Sequence, residues 1–243
     1  MKQIENPLFS NRQLLRLIIP LVIEQALNIL VGLADGVMVS SAGEAAISGV
    51  SLVDMVNTVI LTLFMGLATG GAVVTSQYLG ARKLHDAQKS VGQLILMAAI
   101  IGTAFGAFCI VLARPIMKLF FGSIEVDVME AGLIYFRITA MAFPFIALYC
   151  TAAAVFRSMG NSKLTMKISI LMNLINVSGN AICVMGLKMG VAGVAIPTLV
   201  SRVVAAFLTI LFLCRKQQEL YLAGKYVFHF RPDMMRKILR IGI

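Results

Sequence analysis

Six stretches of this chain are each long and apolar enough to cross a lipid bilayer, and that leaves it one fold class. They lie at about 14–39, 46–78, 90–112, 131–156, 165–187 and 190–214. A spanning helix needs roughly 20 mostly apolar residues. In hydrocarbon every backbone N–H and C=O must be satisfied internally, so runs of this kind become helices. The expected class is an all-α integral membrane protein with six transmembrane helices. The run at 46–78 exceeds the need and should tilt or project beyond the bilayer. The intervening stretches are too short to bury a core of their own. The first run carries Glu24 and Asn28 and lacks a clear small-residue cleavage site, so it reads as a retained helix rather than a signal peptide.

A net charge of +10 would suit a nucleic-acid partner, but only 13% of the residues are charged and their placement argues against it. Lys and Arg gather at alternate ends of the apolar runs. Lys2, Arg12 and Arg16 precede the first, and Arg82, Lys83 and Lys89 follow the second. Arg157, Lys163 and Lys167 follow the fourth. Arg215, Lys216, Lys225, Arg231, Arg236, Lys237 and Arg240 follow the sixth. The opposite loops hold Arg114, Lys118 and Lys188, and Arg137 and Arg202 lie within helices. The positive-inside rule then puts both termini in the cytoplasm. Cys109, Cys150, Cys183 and Cys214 fall inside apolar segments without metal or disulfide spacing and read as small buried hydrophobes.

Gln13-Leu-Leu-Arg-Leu-Ile-Ile19, at the start of the first run, is echoed by Lys237-Ile-Leu-Arg-Ile-Gly-Ile243. An even number of crossings separates the copies, so a second unit would keep the orientation of the first. Transporters with two parallel halves are built this way. The expectation is one lobe of a twelve-helix transporter. Residues 1–215 form the six-helix N-lobe. Residues 216–243 form a polar, basic cytoplasmic connection, interrupted by Pro232, and the truncated start of a seventh helix. Attraction of that tail to anionic lipid is an alternative role.

Ionisable groups inside a membrane are costly and are candidates for function. Glu24 and Asp35 stand eleven residues apart on one helical face, with Asn28 on the same stripe. Ser169, Asn173, Asn176 and Asn180 share a face of the fifth span. Their amides suit a hard cation or a substrate, and hydrogen bonding between helices would use them equally well. The sixth span has Pro197, Thr198, Ser201 and Arg202, and Pro197 should kink it. Arg202 matches Glu24 in depth, which suggests a pair. Ser51, Asp54 and Thr58 form a shorter outer stripe. Asp54 could join Asp35 in one polar pocket, where two neighbouring carboxylates resist double ionisation and suit a proton site. The 15 methionines, with Phe143, Phe145 and Tyr149, could line an adaptable apolar pocket, or could simply face lipid and core.

Several segments in order resemble the multidrug and toxic compound extrusion (MATE) family. They are Ala34-Asp-Gly-Val-Met-Val39 with Gly43-Glu-Ala-Ala46, and Gly66-Leu-Ala-Thr-Gly-Gly71 through Gln77-Tyr-Leu-Gly-Ala81. Phe156-Arg-Ser-Met-Gly-Asn161 follows, then Asn173-Leu-Ile-Asn176 with Gly193-Val-Ala-Ile-Pro-Thr198. The resemblance implies an antiporter of two six-helix lobes in the cytoplasmic membrane. It would export organic, often cationic, drugs or toxic compounds in exchange for Na⁺ or H⁺, with no cofactor. Asp35 would be the coupling acid of the first helix. Asn176 and Thr198 would lie around an N-lobe Na⁺ site that also includes position 180. Asn180 stands where members with a complete site carry Asp, which weakens a two-carboxylate Na⁺ site.

The implied partners are a small-molecule substrate, membrane lipid, and a missing C-terminal lobe or a second copy. The residues expected to bind ion or substrate are Glu24, Asn28, Asp35, Asp54, Asn173, Asn176, Asn180, Thr198 and Arg202. One alternative is a lipid-linked precursor flippase of the same superfamily, which the acid-rich membrane interior disfavours. Another is a half that does not transport by itself. No soluble-enzyme motif stands out in the sequence, and without a Walker A loop ATP-driven transport has no support.

Overall fold

The computed structural model describes residues 11–227 and 231–242. Lys2 of the first basic cluster and Ile243 of the second repeat copy lie outside the described residues. The described residues form ten α-helices: α1 (Asn11–Ser40), α2 (Glu44–Gly80), α3 (Leu84–Val111), α4 (Ala113–Phe121), α5 (Val126–Met141), α6 (Phe143–Ser158), α7 (Ser162–Asn180), α8 (Ala192–Leu213), α9 (Gly224–Val227) and α10 (Pro232–Gly242). A π-helical segment, Ala181–Gly186, extends α7.

Five helices are long and apolar enough to span a membrane singly. The sixth expected span, at 131–156, is instead the pair α5 and α6, bent by 47°. The bend falls at Ala142, just before Pro144, where the missing N–H and the proline ring disfavour a continuous helix. It seats on two glycines of α3. A Cβ on Gly102 would come within 2.9 Å of Ala147 and Pro144, and one on Gly106 within 2.9 Å of the Ala140 carbonyl. Uniform hydropathy through 131–156 conceals this break.

At 37 residues, α2 is about 55 Å long, well beyond the bilayer core of ~30 Å. Its surplus is used at the end lined by the basic loops. There α10 lies against α2 and α3, burying Met234, Met235 and Ile238 beside Val91 and Leu94. Pro232 begins α10, the one helical turn in which a missing N–H costs nothing. The polar, basic tail is anchored at a few points, while much of it stays exposed. Leu220 is fully buried and its N–H donates to Met159 Sδ (3.3 Å). Gln93 of α3 donates to the Tyr226 carbonyl (2.8 Å) and accepts from Arg231 N–H (2.9 Å).

At the opposite end the core gathers Val50, Val53, Met117, Phe136 and Val194. Small residues bring backbones together there, as they do in membrane bundles generally. A Cβ on Gly49 of α2 would stand 2.8 Å from Gly132 N and Val128 O of α5. Helix α4 was not anticipated: nine residues with Leu119 and Phe120 exposed are too few to register as a span. Cys214 is exposed at the end of α8, unlike the buried Cys109.

The turn between α6 and α7 explains one sequence segment. Gly160 adopts φ +76°, the left-handed conformation that ends a helix, and Asn161 N–H returns to the Phe156 carbonyl (2.9 Å). Asn161 Oδ1 then accepts from Leu164 N–H (3.4 Å), starting α7. This tight reversal sets α7 beside α1.

Candidate cation and substrate site

Two polar stripes meet along α1 and α7. Asn173 Nδ2 donates to Asn28 Oδ1 (3.2 Å), and Asn180 Nδ2 donates to Asp35 Oδ1 (2.6 Å). Both pairs are separated by 145 residues, so the helices run parallel and keep one register through a heptad. Buried polar groups that find each other avoid the desolvation cost of standing alone.

From Asp35 the chain of hydrogen bonds continues inward. Asn180 Nδ2 also approaches Asn176 Oδ1 (3.4 Å), and Asn176 Nδ2 donates to Thr198 Oγ1 (2.9 Å). Thr198 in turn donates to the Val194 carbonyl (2.9 Å). Asn180 Oδ1 is buried with no hydrogen-bond partner among the described residues. The π-helical segment starts at the next residue, where an extra residue per turn re-aims the backbone. In α8, Pro197 packs against Gly179, where a Cβ would come within 2.6 Å of the ring. That contact holds Thr198 at the chain's end.

The chain opens into a cavity of about 170 Å³ between α1, α2, α5, α6 and α8. Asp35, Asp54, Asn57, Tyr135, Thr198 and Arg202 belong to its polar lining, and Phe64 and Phe143 to its apolar wall. Tyr135 Oη donates to Asp54 Oδ1 (3.1 Å), and Asn57 Nδ2 donates to Thr139 Oγ1 (3.4 Å). Asn57 Oδ1 is buried without a partner among the described residues. A larger, more open groove of about 350 Å³ shares Asp35 and Asp54 and adds Ser51 and Thr58. Two acids, one Arg and two phenylalanine rings give the cavity a mixed lining with more acidic than basic groups.

Glu24 and Arg202, expected to pair, do not. Glu24 Oε1 accepts from Tyr149 Oη (3.3 Å) and lies 3.7 Å from Arg157 Nη1. Arg202 lines the Asp35 cavity and donates to Met172 Sδ (3.3 Å). The depth argument failed because a long side chain carries its charge several ångströms from its Cα. Arg157, near the end of α6, reaches inward to Glu24. Phe143 lines the cavity, but Tyr149 sits inside the bundle on Glu24 and no methionine is in the cavity wall.

Sequence reasoning therefore missed Tyr135, Asn57, Thr139 and Arg157. Asn57 had a signal, lying three residues beyond Asp54 on the same helix face. The others depend on which helices neighbour each other, which spacing does not reveal.

A family model described as MatE matches residues 20–182. This chain belongs to the MATE family. It is thus a transporter-family protein and not an enzyme. YisQ, an uncharacterized transporter of Bacillus subtilis, is 29% identical over 228 residues, covering 92% of this chain and 50% of that protein. The probable multidrug resistance protein NorM of Thermotoga maritima is 23% identical, covering 95% of this chain and 50% of its own length. A crystal structure of MATE in complex with MaL6 has the same fold, with TM-score 0.88 at 23% identity over 95% of this chain and 51% of that one. The chain spans about half the length of the MATE relatives it matches, corresponding to one lobe.

Proposed function

We propose that this chain is the N-terminal lobe of a secondary active MATE antiporter that exports organic, often cationic, compounds across the cytoplasmic membrane in exchange for Na⁺ or H⁺. One observation carries the reading. The Asp35–Asn180–Asn176–Thr198 chain ends at a carboxylate on the wall of a cavity that also presents Asp54. A coupling ion at Asp35 and an organic cation in the cavity then compete for the same negative field.

Competition of this kind is what antiport needs. Ion and substrate favour opposite-facing states, and each biases the rocking of one lobe against the other. A neutralised carboxylate costs less in an apolar cavity than an ionised one, so occupation of Asp35 by a cation permits closure. Asn176, Asn180 and Thr198 supply the polar atoms around it. In this reading the basic loops and both termini are cytoplasmic. The wall of the cavity left open here is completed by a second lobe, in the same polypeptide or from a second copy. Helix α10 is the first part of that lobe's opening helix, and residues 216–231 are the inter-lobe connection.

The test is Asp35→Asn in the complete transporter, with ethidium as the exported probe. Coupled export should fall at least about tenfold, the effect of losing a single buried charge interaction. The amount of protein in the membrane should not change. Wild-type export by this variant would remove Asp35 from the mechanism.

A further inference from the structure

Glu24 is a buried carboxylate that the scheme above leaves unused. Its surroundings are lopsided. Tyr149 Oη (3.3 Å) and Arg157 Nη1 (3.7 Å) both lie against Oε1. Oε2 is buried and has no hydrogen-bond partner among the described residues. Ser169 Oγ, fully buried on α7, is also without one. The register that sets Asn28 against Asn173 and Asp35 against Asn180 sets position 24 against position 169. Two orphaned oxygens thus stand at one level of the seam. Strong Arg–carboxylate pairs are short and frequently two-pointed. This one is long and single-pointed, and Arg157 is 30% exposed.

We propose that Glu24 is a second, inner station for the coupling cation, reached from Asp35 along the α1–α7 seam, with Arg157 as the counter-charge that the cation displaces. The proposal rests on the cation-coupled reading of Asp35. Glu24 and Asp35 are about 16 Å apart along α1, half the thickness of the bilayer core. The Asn28–Asn173 pair forms a rung between them. Charge is conserved at each step. The cation leaves Asp35, whose carboxylate returns to its Asn180 hydrogen bond. It binds at Glu24 Oε2 beside Ser169 Oγ, and its positive charge releases Arg157. Departure of the cation to the cytoplasm restores the Glu24–Arg157 pair. Around Glu24 the titratable and charged groups are Tyr149, Cys150 and Arg157 of α6, and Arg202 of α8, which is engaged with Met172.

An inner station makes export sensitive to cation on the cytoplasmic side, because rebinding at Glu24 opposes release. The experiment uses the complete transporter in liposomes with ethidium as the exported probe. External and cytoplasmic-side cation are varied separately. One arm varies Na⁺ at fixed pH and the other varies pH without Na⁺, so the responding arm identifies the ion. In Glu24→Gln the cytoplasmic-side concentration that half-inhibits export should rise about tenfold, while external half-activation shifts less than about twofold. Glu24→Asp should restore the wild-type inhibition. Arg157→Gln should move inhibition the other way, to lower concentrations, because the competing charge is gone. This opposite sign keeps the proposal testable if the Glu24 variant does not reach the membrane. Unchanged cytoplasmic-side inhibition in Glu24→Gln, or a shift in the same direction for both variants, overturns the inner station. If Asp35→Asn abolishes export and Glu24→Gln behaves as wild type, only this inference falls. If Asp35→Asn exports normally, the cation-coupled reading falls with it.

Discussion

Asp35 and Asn180 meet at 2.6 Å across two parallel helices, and the amide is the donor. An amide serves both states of such a site. In the proposed cation site its N–H would stabilise the empty, ionised carboxylate, and its oxygen, buried without a hydrogen-bond partner among the described residues, would remain for a cation.

Replacing that amide by a carboxylate removes the donor and adds a charge. Two carboxylates at this separation cannot both stay ionised unless a cation lies between them. Asn180→Asp should therefore tighten Na⁺ binding by about tenfold and slow export by delaying release. Equilibrium binding of ²²Na⁺ to the purified transporter checks the first effect. Unchanged affinity would show that position 180 does not face the ion.

Asp54 lines the same cavity but belongs to a different network, accepting from Tyr135 (3.1 Å) rather than from the asparagine chain. Its charge should attract substrate more than it couples the ion. Asp54→Asn is expected to raise the KM for ethidium about tenfold while export still requires the cation gradient. Transport assays at graded ethidium concentrations separate the two. Loss of coupling with KM unchanged would assign Asp54 to the ion instead.

The count of spans was legible because hydropathy measures what a bilayer demands of a segment. The break at Ala142 was not, since apolar residues continue through it and only Pro144 marks it. The stripes Glu24–Asn28–Asp35 and Asn173–Asn176–Asn180 were readable from helical periodicity. That they face each other at a constant offset of 145 was not, because periodicity fixes a face but not its neighbour. Arg157 escaped notice for a related reason. Its Cα lies in a basic cluster near the helix end, and only its guanidinium reaches Glu24.

The tail depends on one side chain more than its composition suggests. Gln93 grips both Tyr226 and Arg231, and Gly92 beside it allows the Tyr226 backbone to approach, since a Cβ there would stand 2.8 Å from its carbonyl. Gln93→Ala removes both contacts to the strap between α8 and α10. Cleavage by trypsin after Lys225 should accelerate about tenfold, because proteolysis follows the population of the opened segment; the bond after Arg231 precedes Pro232 and resists trypsin. Mass spectrometry of timed digests reads this site directly. Cleavage at the wild-type rate would mean that the other contacts, such as Tyr226 Oη with His85 Nδ1 (2.9 Å) and the burial of Leu220, hold the strap without Gln93.

The crossing of α2 and α5 should tolerate little added bulk. At Gly49 the obstacles to a Cβ are backbone atoms, Gly132 N and Val128 O, both at 2.8 Å. Backbone cannot swing aside, so the helices themselves must separate. At Gly132 the nearest obstacle is the tip of Met117 at 2.9 Å, a flexible side chain that can move. At Gly80 nothing lies within 4 Å. Substitution by Val at Gly49 should therefore cost about 1–3 kcal/mol, the usual penalty of overpacking. Ala at Gly132 should cost less, and Val at Gly80 should fall within about 0.5 kcal/mol of wild type. Thermal unfolding in detergent should rank the three in that order, and a Gly49→Val protein as stable as wild type would show that the backbones are not held in contact.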